Sequence, residues 1–339
     1  MAEGGKQKIL KRIVPNIGVE GGQVRIECTS FPVSEYSNCI LKFAETPAPL
    51  SIVTSRFVVT EIPSGAESGP VTLTVAGKET DGIYFKVGTR IASDLHCVGN
   101  PAYDADGNLL LTFSGSRGQK VAVTVFKFDP DGKIHPFISD IMNPTGIALA
   151  PNGKVYITNR FDGSLYEVSR KGEIRVFAEG LGVATGLAID QAGNIFVGDR
   201  NGTIFKVDES GTARSFVKLP PSASAYHLTF SPEGELFVSV PTLSTRDSIQ
   251  RVSSKGEITP FFTGLNRPQG LAFDEHGNLY VAAYLGGKGG VVKITPQKEA
   301  SLAIAGSNIV GLAFDNKGDL ILTSYQAAFS VPLGVKGAR

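Results

Sequence analysis

The chain has no tryptophan, two methionines and three cysteines among its 339 residues. No long run places apolar residues at helical spacing, so long helices are not expected. Cys28, Cys39 and Cys97 make neither a CxxC pair nor an even disulfide framework, which argues against a thiolate metal site and against a disulfide-stapled secreted fold. Buried thiols are the plainer reading, with a Cys28 to Cys39 bridge left open because each lies in a strand-like run. Charge of one sign is also missing: 33 Lys and Arg against 32 Asp and Glu give a formal net charge of +1. A near-neutral chain has no broad field to gather a polyanion, so nucleic acid is not the expected partner, although a local basic patch remains compatible with that balance. No segment approaches the ~20 apolar residues of a membrane span. Lys6, Lys8, Lys11 and Arg12 are not followed by the apolar core of a signal peptide. The chain therefore reads as cytoplasmic and off the membrane, or as exported where a leader has been removed.

What is abundant is glycine, with 40 residues, beside 19 prolines and many Val, Ile, Thr and Phe. That composition favours strands separated by turns. Six segments repeat the order apolar run, acidic or Pro corner, Gly, apolar run: Tyr103 to Leu109, Leu149 to Gly153, Ile189 to Asn194, Phe230 to Gly234, Phe273 to Asn278 and Phe314 to Asp319. Their glycines, Gly107, Gly153, Gly193, Gly234, Gly277 and Gly318, lie 40 to 46 residues apart. A period of about 40 to 50 residues is that of a four-stranded propeller blade. Gly270 to Asp274 reads as an inner strand, Leu279 to Ala282 as its return, and Ser164 to Val168 and Gly172 to Phe177 show the third and fourth strands.

The last unit runs out after Gly311 to Phe314, Leu320 to Thr323 and Phe329 to Val331. Arg90 to Leu95 aligns with Thr259 to Leu265, a fourth strand elsewhere, so residues 89–95 are expected to complete the sixth blade. This gives an all-β chain: an N-terminal tail over residues 1–7, a small antiparallel sandwich over 8–88, a six-bladed propeller over 89–332 and a C-terminal tail over 333–339. In the sandwich, Val24 to Cys28, Ile40 to Phe43 and Val71 to Val75 alternate between Gly and Pro turns. Pro15-Asn16-Ile17-Gly18, Gly21-Gly22, the strand from Val24 to Phe31, Ile62-Pro63 and Ser68-Gly69-Pro70-Val71 resemble the IPT/TIG family of immunoglobulin-like domains. The resemblance implies a spacer or interaction module rather than a reaction site.

The recurring strings Gly-Leu-Ala-Phe-Asp, Gly-Asn-Leu-Tyr-Val and Phe-x-x-Gly-Leu resemble the NHL-repeat group and the SMP-30/gluconolactonase group over residues 89–332. For the lactonases, the resemblance implies a divalent cation held by carboxylate and Asn oxygens near the entrances of inner strands. The residues that stand there in this chain are Gly99, Thr145, Thr185, Tyr226, Gln269 and Val310, without a carboxylate. No metal and no cofactor are therefore expected. No G-x-S-x-G, H-E-x-x-H or strand-bounded G-x-G-x-x-G occurs, and Asp104 to Asn108 reads as a hairpin corner rather than a cation loop.

Strand direction puts the starts of the first strands on the same face as the loops between second and third strands. Those loops, Ser114 to Gln119, Phe161 to Gly163, Pro241 to Asp247 and Leu285 to Gly290, vary most, as a binding rim does. Candidate ligand contacts on that face are Thr145, Asn159, Arg160, Thr185, Asp199, Arg200, Tyr226, His227, Gln269, Tyr284 and Tyr325. Arg160 and Arg200 follow Asn159 and Asp199 at the same point of consecutive blades, either as an ion-pair ladder or as an anion-recognising pair. His227 is read as a polar channel residue before a general base. The expected function is non-catalytic recognition of a protein, peptide or small ligand at this face. A lactonase-type hydrolase and an RNA-binding propeller are the alternatives.

Overall fold

A computed structural model describes residues 9–31 and 38–338. The tail over 1–7, Lys8 and Arg339 lie outside the described residues. Contacts divide the chain into two compact units, one of residues 1–90 with 288–291 and 302–308, the other of residues 91–287 with 292–301 and 309–339. The described residues form strands and turns without an α-helix.

In the first unit, alternation decides which side of each strand is buried. Gln23–Cys28 and Gly69–Val75 bury every second residue, as half-covered strands do. Leu10–Val14, Gln23–Cys28, Phe57–Glu61 and Leu50–Val53 make one antiparallel sheet in that order. Ile83–Val87, Gly69–Val75, Ile40–Phe43 and Thr46–Ala48 form a second array. Val24, Ile26 and Val58 from the first meet Leu41, Phe43, Leu73 and Phe85 from the second in one core. Phe43 and Phe85 stack edge to face at 5.2 Å. Cys28 and Cys97 are buried free thiols, so no bridge joins Cys28 to Cys39. Burial pushes Cys28 up to about 11 and Cys97 up to about 12, holding both protonated.

The repeat read from the glycine corners forms six sets of four antiparallel strands. The first set is Ala102–Tyr103, Leu109–Thr112, Val125–Phe128 and Ile134–Ile138. Those beginning at Pro144–Leu149, Ala184–Ile189, His227–Phe230 and Leu271–Phe273 follow the same order. In the sixth, Ile309–Phe314, Asp319–Ser324 and Ala327–Pro332 are followed in space by Thr89–Ser93, which precedes the first set in sequence. Leu95 N donates to Gln326 O at 3.1 Å, continuing that join. A free edge strand presents unpaired amides and carbonyls, and this pairing covers one.

Each corner has a local cause. Asp190 Oδ1 accepts from Asn194 N, and Asp315 Oδ1 from Lys317 N and Asp319 N, so the side chain satisfies the amides that the hairpin leaves open. Gly193 sits at φ 87°, where a residue with a Cβ is strained. The same device returns between third and fourth strands at Asp129 to Gly132, Ser169 to Gly172, Asp208 to Gly211 and Ser253 to Gly256. Both kinds of turn lie at one end of the strands. Residues 334–338 do not hang loose as a tail: Glu275 N donates to Lys336 O and Ala338 N to Phe273 O, each at 2.9 Å.

Candidate functional site

The inner strands approach one another closely at their starting ends. A Cβ on Gly146 would lie 2.7 Å from Thr185 O, and one on Gly270 would lie 2.7 Å from Gly311 Cα. Gly186 faces Tyr226 O and Gly311 faces Gly99 O more tightly still. The glycine of each Gly-Leu-Ala string is therefore there for backbone approach between blades. Gly186 N donates to Tyr226 O at 2.9 Å and Gly270 N to Val310 O at 3.1 Å. Asn100 donates to Leu271 O and accepts from Leu312 N, binding three blades together.

This packing decides where the candidate ring residues lie. Thr145, Thr185, Tyr226, His227 and Gln269 are all buried. Thr145 Oγ1 shares hydrogen-bond distance with Thr158 Oγ1 and donates to Ala184 O, while Thr185 Oγ1 donates to Gly198 O. Tyr226 is fully buried among Leu228, Val238 and Leu219, and its hydroxyl donates to Pro220 O. Its place is the core between blades. His227 occupies the position of the string glycine in its blade; burial holds its pKa down at about 4, so the ring is neutral at physiological pH, and its Nε2 has no partner.

Of the remaining candidates, Asn159 and Asp199 are buried as well. Asn159 Oδ1 accepts from Phe161 N at 2.7 Å, and Asp199 Oδ1 accepts from Val183 N at 2.9 Å, so both fix loops. Among the described residues, the arginines after them form no ion-pair ladder. Arg160 Nη2 donates to Gly115 O at 2.7 Å, and Arg200 donates through Nε to Ser222 O and through Nη2 to Ala223 O. Tyr284 is half-buried and Tyr325 is exposed beside His96, with ring centroids 6.2 Å apart. Burial, followed by the nearby Arg160 charge, lowers the His96 pKa. Three large apolar side chains stand exposed on these second-to-third-strand loops: Leu243 at 95%, Phe161 at 47% and Tyr325 at 39%.

Arg117, which the sequence reading did not single out, belongs to the same corner. Its loop is ordered by Asn143, whose Oδ1 accepts from Gly118 N at 2.7 Å and whose Nδ2 donates to Ser116 O at 2.8 Å and to Ser114 O. A Cβ on Gly118 would touch the Phe161 ring at 3.6 Å, placing this loop against the one that carries Arg160. Burial first, then the fields of Arg117 and Arg200, lower the Arg160 pKa. The available signal was an arginine between glycines in a loop already marked as variable.

At the opposite end the inner strands diverge around a cavity of about 1100 Å³. Ile147, Leu187, Leu228, Phe273 and Phe314 give it apolar walls, and Lys336 to Ala338 run along one side. None of the eleven candidate residues lines it. Of its carboxylates, Asp104, Asp190 and Asp315 are engaged by their own turns, and Asp106 lies 3.6 Å from Arg170 Nη1. Among the described residues, no group of three or more His, Cys, Asp or Glu side chains is placed to hold a metal ion.

The model of the SMP-30/gluconolactonase/LRE-like region matches residues 98–242. No curated protein matches the chain. Among solved structures, the chain is similar to an auxiliary nutrient binding protein from Bacteroides thetaiotaomicron at 12% identity and a TM-score of 0.57, covering 99% of each chain. A gluconolactonase from Xanthomonas campestris is 15% identical with a TM-score of 0.56, over 71% of this chain and 88% of that one. Virginiamycin B lyase from Staphylococcus aureus is 16% identical with a TM-score of 0.51, over 84% and 93%. At these identities the likeness is one of fold, and it makes the repeated four-stranded sets a β-propeller.

Proposed function

We propose that the propeller is a non-catalytic binding module whose ligand or partner sits on the loops between second and third strands. The observation that carries this reading is the grouping of Leu243, Phe161 and Tyr325 with Arg117, Arg160 and Arg200 on those loops. Exposed apolar and aromatic side chains beside arginines are the residue types that dominate contact energetics. The front unit, with two strand arrays over one core and its IPT/TIG-like strings, serves as a spacer or a second contact. Residues 89–332 act as one six-bladed body closed by the strand before the first blade.

The test is a paired set of variants against a ligand found by thermal-shift screening of metabolites and peptides. Arg200→Ala, Tyr284→Ala and Leu243→Ser should weaken binding about tenfold or more, whereas Asn152→Ala, Glu233→Ala and Lys317→Ala at the opposite end should leave it unchanged. Tyr226 is not a useful probe, because its truncation would open the core. Weakened binding from the second set alone would place the ligand at the other end.

The match to the SMP-30/gluconolactonase/LRE-like model supports a second reading, a lactonase-type hydrolase. Lactone turnover that EDTA abolishes and calcium restores would establish it over the binding reading.

A further inference from the structure

We propose that Arg117, Arg160 and Arg200 form an oxyanion-binding corner that takes the phosphate or carboxylate group of a small ligand, an inference that rests on the loop-face reading above. These side chains come from the second-to-third-strand loops of the first three blades. Among the described residues no carboxylate forms an ion pair with any of them. The Arg117 and Arg200 charges both act on Arg160, and like charges without a counter-charge are costly unless a ligand supplies it.

Two further observations point to a ligand. Arg160 Nε and Ser114 Oγ are buried polar atoms without a partner, at adjoining points of the corner: Ser114 precedes Gly115, whose carbonyl accepts from Arg160 Nη2. Buried donors are nearly always satisfied, so two unfilled donors where Arg160 meets the loop of Arg117 leave polar capacity that the chain itself does not use. Backbone carbonyls hold Arg160 and Arg200 through some of their donors and leave others for a ligand. The loop bearing Arg117 is fixed in advance by Asn143, which sits in the left-handed region at φ 51°. A site ordered before binding avoids the entropy of ordering it afterwards. Phe161 and Tyr325 flank the corner with exposed rings suited to the uncharged part of the ligand.

The experiment titrates the full chain with inorganic phosphate and separately with succinate, each against sodium chloride at equal ionic strength, by calorimetry and by hydrogen exchange. Saturable binding of one of these anions is expected, with phosphate-only or succinate-only binding naming the preferred group. Arg117→Gln, whose side chain is exposed and makes no fixed contact, should weaken it about tenfold at an unchanged melting temperature. Ser114→Ala supplies a second variant that leaves the guanidiniums in place, and it should weaken binding by a smaller factor. Slowed exchange is expected at residues 114–118 and 200–202. If neither anion exceeds chloride, or if Arg117→Gln and Ser114→Ala both bind as the native chain does, the corner is not an oxyanion site. If that occurs while a screened ligand still protects these loops, only this inference fails. Protection confined to residues 104–107, 190–193 and 315–318 overturns the loop-face reading as well.

Discussion

The two ends of the inner strands solve opposite problems. At their starts, glycines let neighbouring backbones touch and hydrogen-bond. At their far ends, Leu, Ile and Phe side chains hold the strands apart around a cavity of about 1100 Å³. A large cavity is the usual first candidate for a ligand site, yet here Asp104, Asp190 and Asp315 are occupied by turn amides and Asp106 pairs with Arg170, whereas unfilled donors and unpaired arginines lie on the loops at the other end. Concavity and available polar chemistry are separated in this molecule.

The sharpest way to break that comparison is Gly186→Ala. Its new Cβ would collide with the Tyr226 carbonyl, which has no rotamer to move away. We expect a loss of about 3 kcal/mol or more in urea unfolding. Gly193→Ala, at a corner with nothing within 4 Å of the added atom, should cost only about 1 kcal/mol, the backbone strain of φ 87°. Equal losses would mean that the starting ends of the inner strands are not held by backbone approach.

His227 sharpens the same contrast through pH. Its folded pKa of about 4 lies below the ordinary 6.5, so the unfolded chain binds the proton first. Its contribution is fully present above pH 6.5 and is lost as the pH falls from 6.5 through about 4. The loss is on the order of 3 kcal/mol. His227→Gln should flatten this part of the stability profile measured by denaturant midpoints between pH 7 and 4. An unaltered slope would show that other groups produce it.

A smaller effect is expected at the open end. Ending the chain after residue 333 removes the hydrogen bonds of Lys336 and Ala338 to the fifth blade, at a cost of about 1 to 2 kcal/mol. It should also raise binding of an apolar dye, because one wall of the cavity goes with it. Smallest of all, Asn152→Ala, Glu233→Ala and Lys317→Ala should each stay within about 0.5 kcal/mol of the native chain.

The repeat was legible because each corner needs a carboxylate or Pro and a glycine at fixed offsets, and Gly107, Gly193 and Gly318 all fall at positive φ. The turns between third and fourth strands carry the same grammar, with Asp at Asp129 and Asp208 and Ser at Ser169 and Ser253, so the corner pattern occurs twice in each of these blades. The direction of the ring side chains was hidden. Register shifts between Pro144 and Ile147, between Ala184 and Leu187, and between Ile309 and Gly311 turn the intervening residues away from simple alternation. Thr145 and Thr185 consequently face neighbouring strands, while Tyr226, just before its strand, is buried in the core. Arg160 and Arg200 could be placed on one face from blade period alone. Their convergence with Arg117 depends on Asn143 folding the first loop back, a contact between positions 25 or more residues apart.

The most direct measurement is hydrogen exchange of the full chain with and without the first screened ligand that raises its melting temperature. Slowed exchange at residues 114–118, 160–163 and 241–247, with the turns at 104–107, 190–193, 231–234 and 315–318 unchanged, is the predicted result. Protection of those turns with the loops unchanged would contradict it and assign the ligand to the cavity.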